Sequence, residues 1–224
     1  MKKIIFTSLL SMAFLASFAQ IKPKQEDWFF YDYTYDFMTL APAGVSQEFI
    51  PNGHTISLLK EKVFGNGKFA IAGGIDYSSQ AFYSNLYVST DLSDGEEIYQ
   101  ILDTDSIERN RLYTEFIDAI FELRYRTLPN DDGKFFRWYV GLKGGVRVQS
   151  TSRLRTNNAI VSFENLGMLN RYRYGVYTRM GYGWFNLYAY YGLAELFTDG
   201  ALINAGNASV TGIQPVSIGI SLIF

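Results

Sequence analysis

This 224-residue chain carries one histidine, no cysteine, 20 basic and 22 acidic side chains, and these numbers limit its chemistry. Without cysteine there is neither a disulfide framework nor lipid attachment through sulfur. A hydrolase or acyltransferase would need a nucleophile beside a histidine. His54 stands beside Asn52-Gly53 at the mouth of a predicted strand, where it reads as an exposed loop side chain. Carboxylates crowd Asp91, Asp94, Glu96, Glu97, Asp103 and Asp105. Such a group could invite a divalent cation, but the spacing fits no calcium loop and reads as solvated surface. Gly73-Gly74 and Gly144-Gly145 do not open a helix after a strand, as a phosphate loop requires, and suit strand packing. The expectation is a non-enzymatic protein with no cofactor and no bound metal. A net charge of -2 gives no support to nucleic-acid binding.

What remains is charge placed at alternate residues. Asp32, Asp36, Asp76, Asp118 and Glu122 lie in the first half of the chain. Arg124, Arg137, Lys143, Arg147, Arg171, Arg173 and Arg179 lie in the second. A strand turns successive side chains to opposite faces, so alternation with apolar residues makes two-faced strands. Residues 28–40 set Phe29, Tyr31, Tyr33, Tyr35 and Phe37 against Asp32, Thr34 and Asp36. The pattern recurs over 69–79, 113–125, 136–148, 171–182, 185–193 and 216–224. Residues 54–64 are also extended, but Lys60 and Lys62 fall in step with Ile56 and Leu58, which predicts a bulge near Leu59. These are about eight strands, the count of a small barrel. Their connections alternate in length. Residues 65–68, 128–134 and 183–184 make short turns, whereas 41–53, 90–110, 151–167 and 198–212 are long and polar. Short turns at one end and long loops at the other characterise outer-membrane barrels.

Which face points inward is decided by volume. An eight-stranded barrel has an interior just wide enough for side chains to fill, and the 17 Tyr and 18 Phe of this chain are too many to enclose. The polar faces alternate small with large, as in Arg173-x-Gly175-x-Tyr177, which suits a crowded interior. The charged face is therefore predicted inside, where buried charges need partners, and an ion network should close the lumen. Register is strict: slipping residues 169–182 by one would turn Arg171, Arg173 and Arg179 outward, at roughly 2 to 4 kcal/mol each at the bilayer midplane.

The first residues read Met1-Lys2-Lys3, an apolar run from Ile4 to Ala16, then Ser17-Phe18-Ala19, the pattern of a signal peptide over 1–19 cleaved before Gln20. Residues 20–224 then form one domain, an all-β, closed antiparallel transmembrane β-barrel with up-and-down connections. The expected location is the outer membrane, with its lipid as the first partner. The terminal Val216, Ile218, Ile220, Leu222 and Phe224 resemble the strand by which such barrels are presented to the barrel-assembly machinery.

The runs Thr55-Ile56-Ser57-Leu58-Leu59, Gly65-Asn66-Gly67-Lys68-Phe69, Gly74-Ile75-Asp76-Tyr77-Ser78-Ser79, Phe121-Glu122-Leu123-Arg124-Tyr125-Arg126 and Phe136-Arg137-Trp138-Tyr139-Val140-Gly141 are strand patterns joined by turn glycines. Together they resemble the PorT-like outer-membrane β-barrel proteins of Bacteroidetes, a likeness that extends over most of the mature chain. The resemblance implies location and fold first, and an accessory role linked to type IX protein secretion second, with envelope or secretion proteins bound through extracellular loops. It carries over no catalytic residue. Three readings stand beside it: a small channel or transporter for a small or apolar solute, a lipid-modifying enzyme using His54, and a soluble ligand-binding barrel.

Overall fold

The computed structural model describes residues 27–50, 52–90, 97–103, 107–198 and 212–224. The predicted signal peptide lies outside them. The described residues contain strands and no helix: β1 (Phe29–Thr39), β2 (Gly53–Phe64), β3 (Phe69–Tyr83), β4 (Leu86–Thr90), β5 (Glu97–Ile101), β6 (Arg109–Arg126), β7 (Phe136–Arg155), β8 (Ile160–Glu164), β9 (Tyr172–Tyr182), β10 (Phe185–Gly192) and β11 (Gln214–Ile223). Eight of these form a closed antiparallel ring in the order β1-β2-β3-β6-β7-β9-β10-β11, shut by the pairing of β11 with β1. Strand β8 adds to the far end of β7, and β4 and β5 pair as a separate hairpin.

Alternation in the sequence becomes alternation of burial. Along β6 the outward Ile117, Phe121 and Leu123 are 45–58% exposed, while the inward Asp118, Glu122 and Arg124 are at most 2% exposed. The other ring strands follow suit: most aliphatic and aromatic side chains face out, and most charges face in beside a few large side chains such as Phe30, Leu59, Ile120 and Tyr139. Glycines at φ +53° and +86°, Gly65 and Gly67, turn β2 into β3 with no Cβ to oppose the left-handed backbone.

Two expectations are corrected. No bulge occurs near Leu59: β2 and β3 pair without a break from His54↔Ser79 to Phe64↔Phe69. Lys60 and Lys62 are simply exposed on the outer face close to the turn end, where long side chains carry their charge toward water. The register shift instead falls between Glu115 and Phe116, opposite β7. The long connections are also not uniformly polar. Leu86, Val88 and Tyr99 of the β4–β5 hairpin fold over the loop end of the ring and pack with Leu166, Leu169, Leu196, Phe197 and Ile213 into a buried apolar cap. Leu112 of β6 and Met38 of β1 meet this cap from below.

Candidate functional site

The interior of the ring is filled in tiers. At the turn end, Glu61 of β2 accepts from Arg124 (2.7 Å) and Arg126 (2.5 Å) of β6. Arg124 also donates to Glu122 (2.7 Å) and to the Asp27 carbonyl oxygen (2.7 Å). Asp27 accepts the Tyr139 hydroxyl and lies 3.6 Å from Arg137.

In the middle tier, Arg179 of β9 crosses the ring to β1. It donates to both Asp32 oxygens (3.2 and 2.7 Å), to the Ser57 hydroxyl (3.0 Å) and to Glu122. The Arg179 side chain and both carboxylates are 0% exposed. Asp32, Arg179, Glu122, Arg124, Glu61 and Arg126 thus make one continuous chain in which carboxylates and guanidiniums alternate, formally neutral. Phe30, Tyr177 and Tyr188 stand 4.5 to 5.3 Å from the Arg179 guanidinium, so π faces cover what the carboxylates leave.

Nearer the loop end, Arg173 binds both oxygens of Asp118, donates to Gln80 (3.0 Å) and reaches the Ser78 hydroxyl. Lys143 sits 2.9 Å from Asp76, an ion contact without hydrogen-bond geometry. Asp36 makes no ion pair among the described residues. Its carboxylate accepts the Ala81 backbone N–H (2.9 Å) and the Thr34 hydroxyl (3.0 Å). Because β2 begins at Gly53, opposite Thr34, the upper part of β1 lacks a β2 partner. Asp36 supplies a side-chain link from β1 to β3 where that rung is missing.

Large and small residues interlock here. A Cβ on Gly141 would meet the Tyr177 ring at 2.4 Å, and one on Gly175 the Tyr190 ring at 2.6 Å. A void among Thr34, Lys143, Arg173 and Ser217 measures about 10 Å³, about the size needed for a single water.

The sequence-predicted charges are therefore enclosed by the ring, Asp36 without an ion pair among the described residues, with two exceptions. Arg171 precedes β9 and is exposed, so its expected place inside the ring is corrected: the inward run of β9 begins two residues later, at Arg173. Arg147 is half-buried at the loop end, where it donates to Ser150 (2.5 Å) and to the carbonyls of Leu166 (2.7 Å) and Leu169 (3.0 Å), tying the segment after β8 to the ring. Arg147→Ala is expected to cost about 2 kcal/mol locally, since bonds to a charged donor are worth roughly 1.5–3 kcal/mol. Limited proteolysis should show faster cleavage over 162–170 with the ring intact.

Sequence reasoning missed Asp27, Glu61 and Arg126. Glu61 shares parity with Thr55 and Ser57, and Arg126 with Glu122 and Arg124, so an unbroken phase would have found both. Val216, Ile218, Ile220 and Leu222 line the outer face of β11, and the Phe224 ring lies 5.7 Å from that of Phe29. His54 is a half-buried residue of β2, not an exposed loop side chain; its Nδ1 is 2.7 Å from the Tyr31 hydroxyl, and Tyr33 flanks it. Asp91, Asp94, Glu96 and Asp105 of the acidic segment lie outside the described residues. Among those described, no group of His, Cys, Asp or Glu is arranged to hold a metal ion.

No family model matches the chain, and neither does any curated protein or solved structure.

Proposed function

We propose that this chain spans the outer membrane as an eight-stranded β-barrel with a filled lumen, and serves as a non-enzymatic anchor that presents its loop-end structures to envelope partners. One observation carries the reading: the outer surface of the ring is a belt of exposed aliphatic and aromatic side chains, whereas most of its charges are enclosed and, Asp36 apart, set against opposite charges. In water such a surface would be an aggregation hazard, being far more extensive than monomeric soluble proteins expose; against hydrocarbon it is the lower-energy face. Its dimensions suit the role. The run Tyr172–Tyr182 of β9 has 11 residues, which at about 3.3 Å per residue and a tilt of about 40° rises about 25 Å, the height of the apolar band of such barrels. Aromatics mark its lower rim, where Phe64 pairs with Phe69, Phe69 with Tyr125, and Tyr182 with both Phe136 and Phe185.

The interior argues for a plug. An ion path needs hydrated space, and here guanidiniums and carboxylates occupy each tier beneath an apolar cap. Purified protein in planar bilayers is expected to give no stable single-channel steps; reproducible conductance would end this reading. The likeness to PorT-like proteins supports a role in type IX secretion, with partners bound through the loops. Co-purification from mild detergent tests that role, and a secretion component retained in stoichiometric amount is the expected result.

The alternative, a lateral route for an apolar solute, draws on the short β1–β2 seam, six paired residues against ten between β1 and β11. Asp36 bridges the gap above it. Solute-dependent swelling of liposomes carrying the protein would favour that route.

A further inference from the structure

Strands β6 and β7 continue beyond the ring at the loop end, and on their outward face four arginines are set against one another. Arg109 is the Cα partner of Arg155, and Arg111 of Arg153. Like charges directly opposite on a sheet repel, and these line a recess of about 190 Å³ with Tyr83 and Ile160. Among the described residues only Arg155 has an acidic partner, Glu108 at 2.5 Å, and that pair is open to solvent. Arg109 and Arg111 lie over the rings of Tyr83 and Tyr113, 5.8 and 5.2 Å from their centroids. Among the described residues, neither they nor Arg153 form an ion pair.

Height fixes what could neutralise this recess. On β6 the same outward face carries Ile117 in the apolar belt, then Glu115 and Tyr113, then Arg111 and Arg109. At about 3.3 Å per residue and a tilt of about 40°, Arg111 and Arg109 stand roughly 10 and 15 Å above Glu115. The Arg111 side chain lies back over the Tyr113 ring, toward the headgroup layer that flanks a hydrocarbon core of about 30 Å. The arginines of the recess share the outward face of the apolar belt, and its volume of about 190 Å³ is smaller than the ~300 Å³ of drug-sized sites. Guanidinium forks match phosphate oxygens two at a time.

We infer that the recess lined by Arg109, Arg111, Arg153 and Arg155 binds the phosphate of an anionic lipid headgroup in the leaflet on the loop side. The inference rests on the membrane reading above. The lipid's acyl chains would run down over Val148 and Ile117, both exposed, and its phosphate would relieve the repulsion between the paired arginines.

The test uses the full chain in neutral detergent micelles doped with phosphatidic acid or with phosphatidylcholine, and reads the lipid retained after washing. Wild-type protein should retain phosphatidic acid and not phosphatidylcholine. Arginines near an anionic surface each contribute a factor of about five, so Arg111→Gln with Arg153→Gln should lower retention about 25-fold. Arg111→Lys with Arg153→Lys, which keeps the charge and loses the fork, should fall between. Equal retention by wild type and the glutamine variant overturns the inference. So does saturable binding of inorganic phosphate with no preference for the lipid, which would make this a free-anion site, and so does a tightly held acidic protein over Arg153 in native membranes. Because Arg153 is exposed and Arg111 is half-buried on the outer face, the variants should keep heat-modifiable mobility; should the glutamine variant misfold, loss of wild-type retention on adding excess phosphatidylglycerol as competitor decides the matter. Failure of the wild-type chain to enter neutral micelles at all would instead refute the membrane reading.

Discussion

Arg179→Leu is expected to destabilise the protein by about 3–5 kcal/mol, the usual consequence of removing one member of a buried ion cluster. The reason is asymmetry. Arg179 holds Asp32 and Glu122 together at 0% exposure, and without it two carboxylates face each other in a space that admits little water. Unfolding by urea in micelles, followed by tryptophan fluorescence, measures the loss. The same experiment on Asp32→Asn and Arg179→Leu combined should recover much of it, because the remaining Glu122, Arg124, Glu61 and Arg126 stay formally neutral and removing a pair is far less costly than breaking it. A double variant no more stable than the single one would show that Arg179 acts through shape and not through charge.

The second large effect separates adjacent glycines. Gly74 faces inward, and a Cβ there would come 1.9 Å from the Leu58 carbonyl oxygen and 2.8 Å from the Leu59 Cα. Gly145 is similar, with the Ile117 carbonyl oxygen at 2.2 Å. These obstacles are backbone, which cannot rotate aside as a side chain would. Their neighbours Gly73 and Gly144 would meet only ordinary contacts at 3.8 and 3.7 Å. Gly74→Ala and Gly145→Ala should therefore each cost about 3 kcal/mol, the upper range for overpacking. Gly73→Ala and Gly144→Ala should stay within about 0.5 kcal/mol of the parent. The readout is the temperature at which heat-modifiable mobility is lost. Equal behaviour within either pair would contradict the close approach of β2 to β3 and of β6 to β7 at these points.

Much of the ring was legible in the sequence because a period of two is a local property. Each strand announces its own faces, and inward placement of Asp32, Asp118, Glu122, Arg173 and Arg179 follows from parity once volume has turned the charged face inside. Pairing is not local. That Arg179 meets Asp32 and Glu122 and not Asp118 depends on strand tilt and stagger, which only the closed ring determines. Glu61 was hidden by an error of phase, since lysines on the outer face were read as a break in alternation when they mark the edge of the apolar belt. The cap was hidden for another reason. Leu86, Val88, Leu169 and Phe197 lie in segments rich in polar residues, and each contributes few apolar side chains; they become a cluster only when the loops converge over one end.

The meander has a consequence for the order of folding events. Seven of its eight seams join consecutive staves of the ring, but the eighth brings the Thr39 hydroxyl to the Gln214 carbonyl, 175 positions away in the chain. Each doubling of a closed loop costs about 0.6 kcal/mol in entropy, so this seam is roughly 3 kcal/mol harder to shut than a four-residue turn. Zipping from hairpin to hairpin should leave it for last, with two unsatisfied edges waiting in the meantime. A holding factor that shields those edges would speed productive closure without altering the final stability.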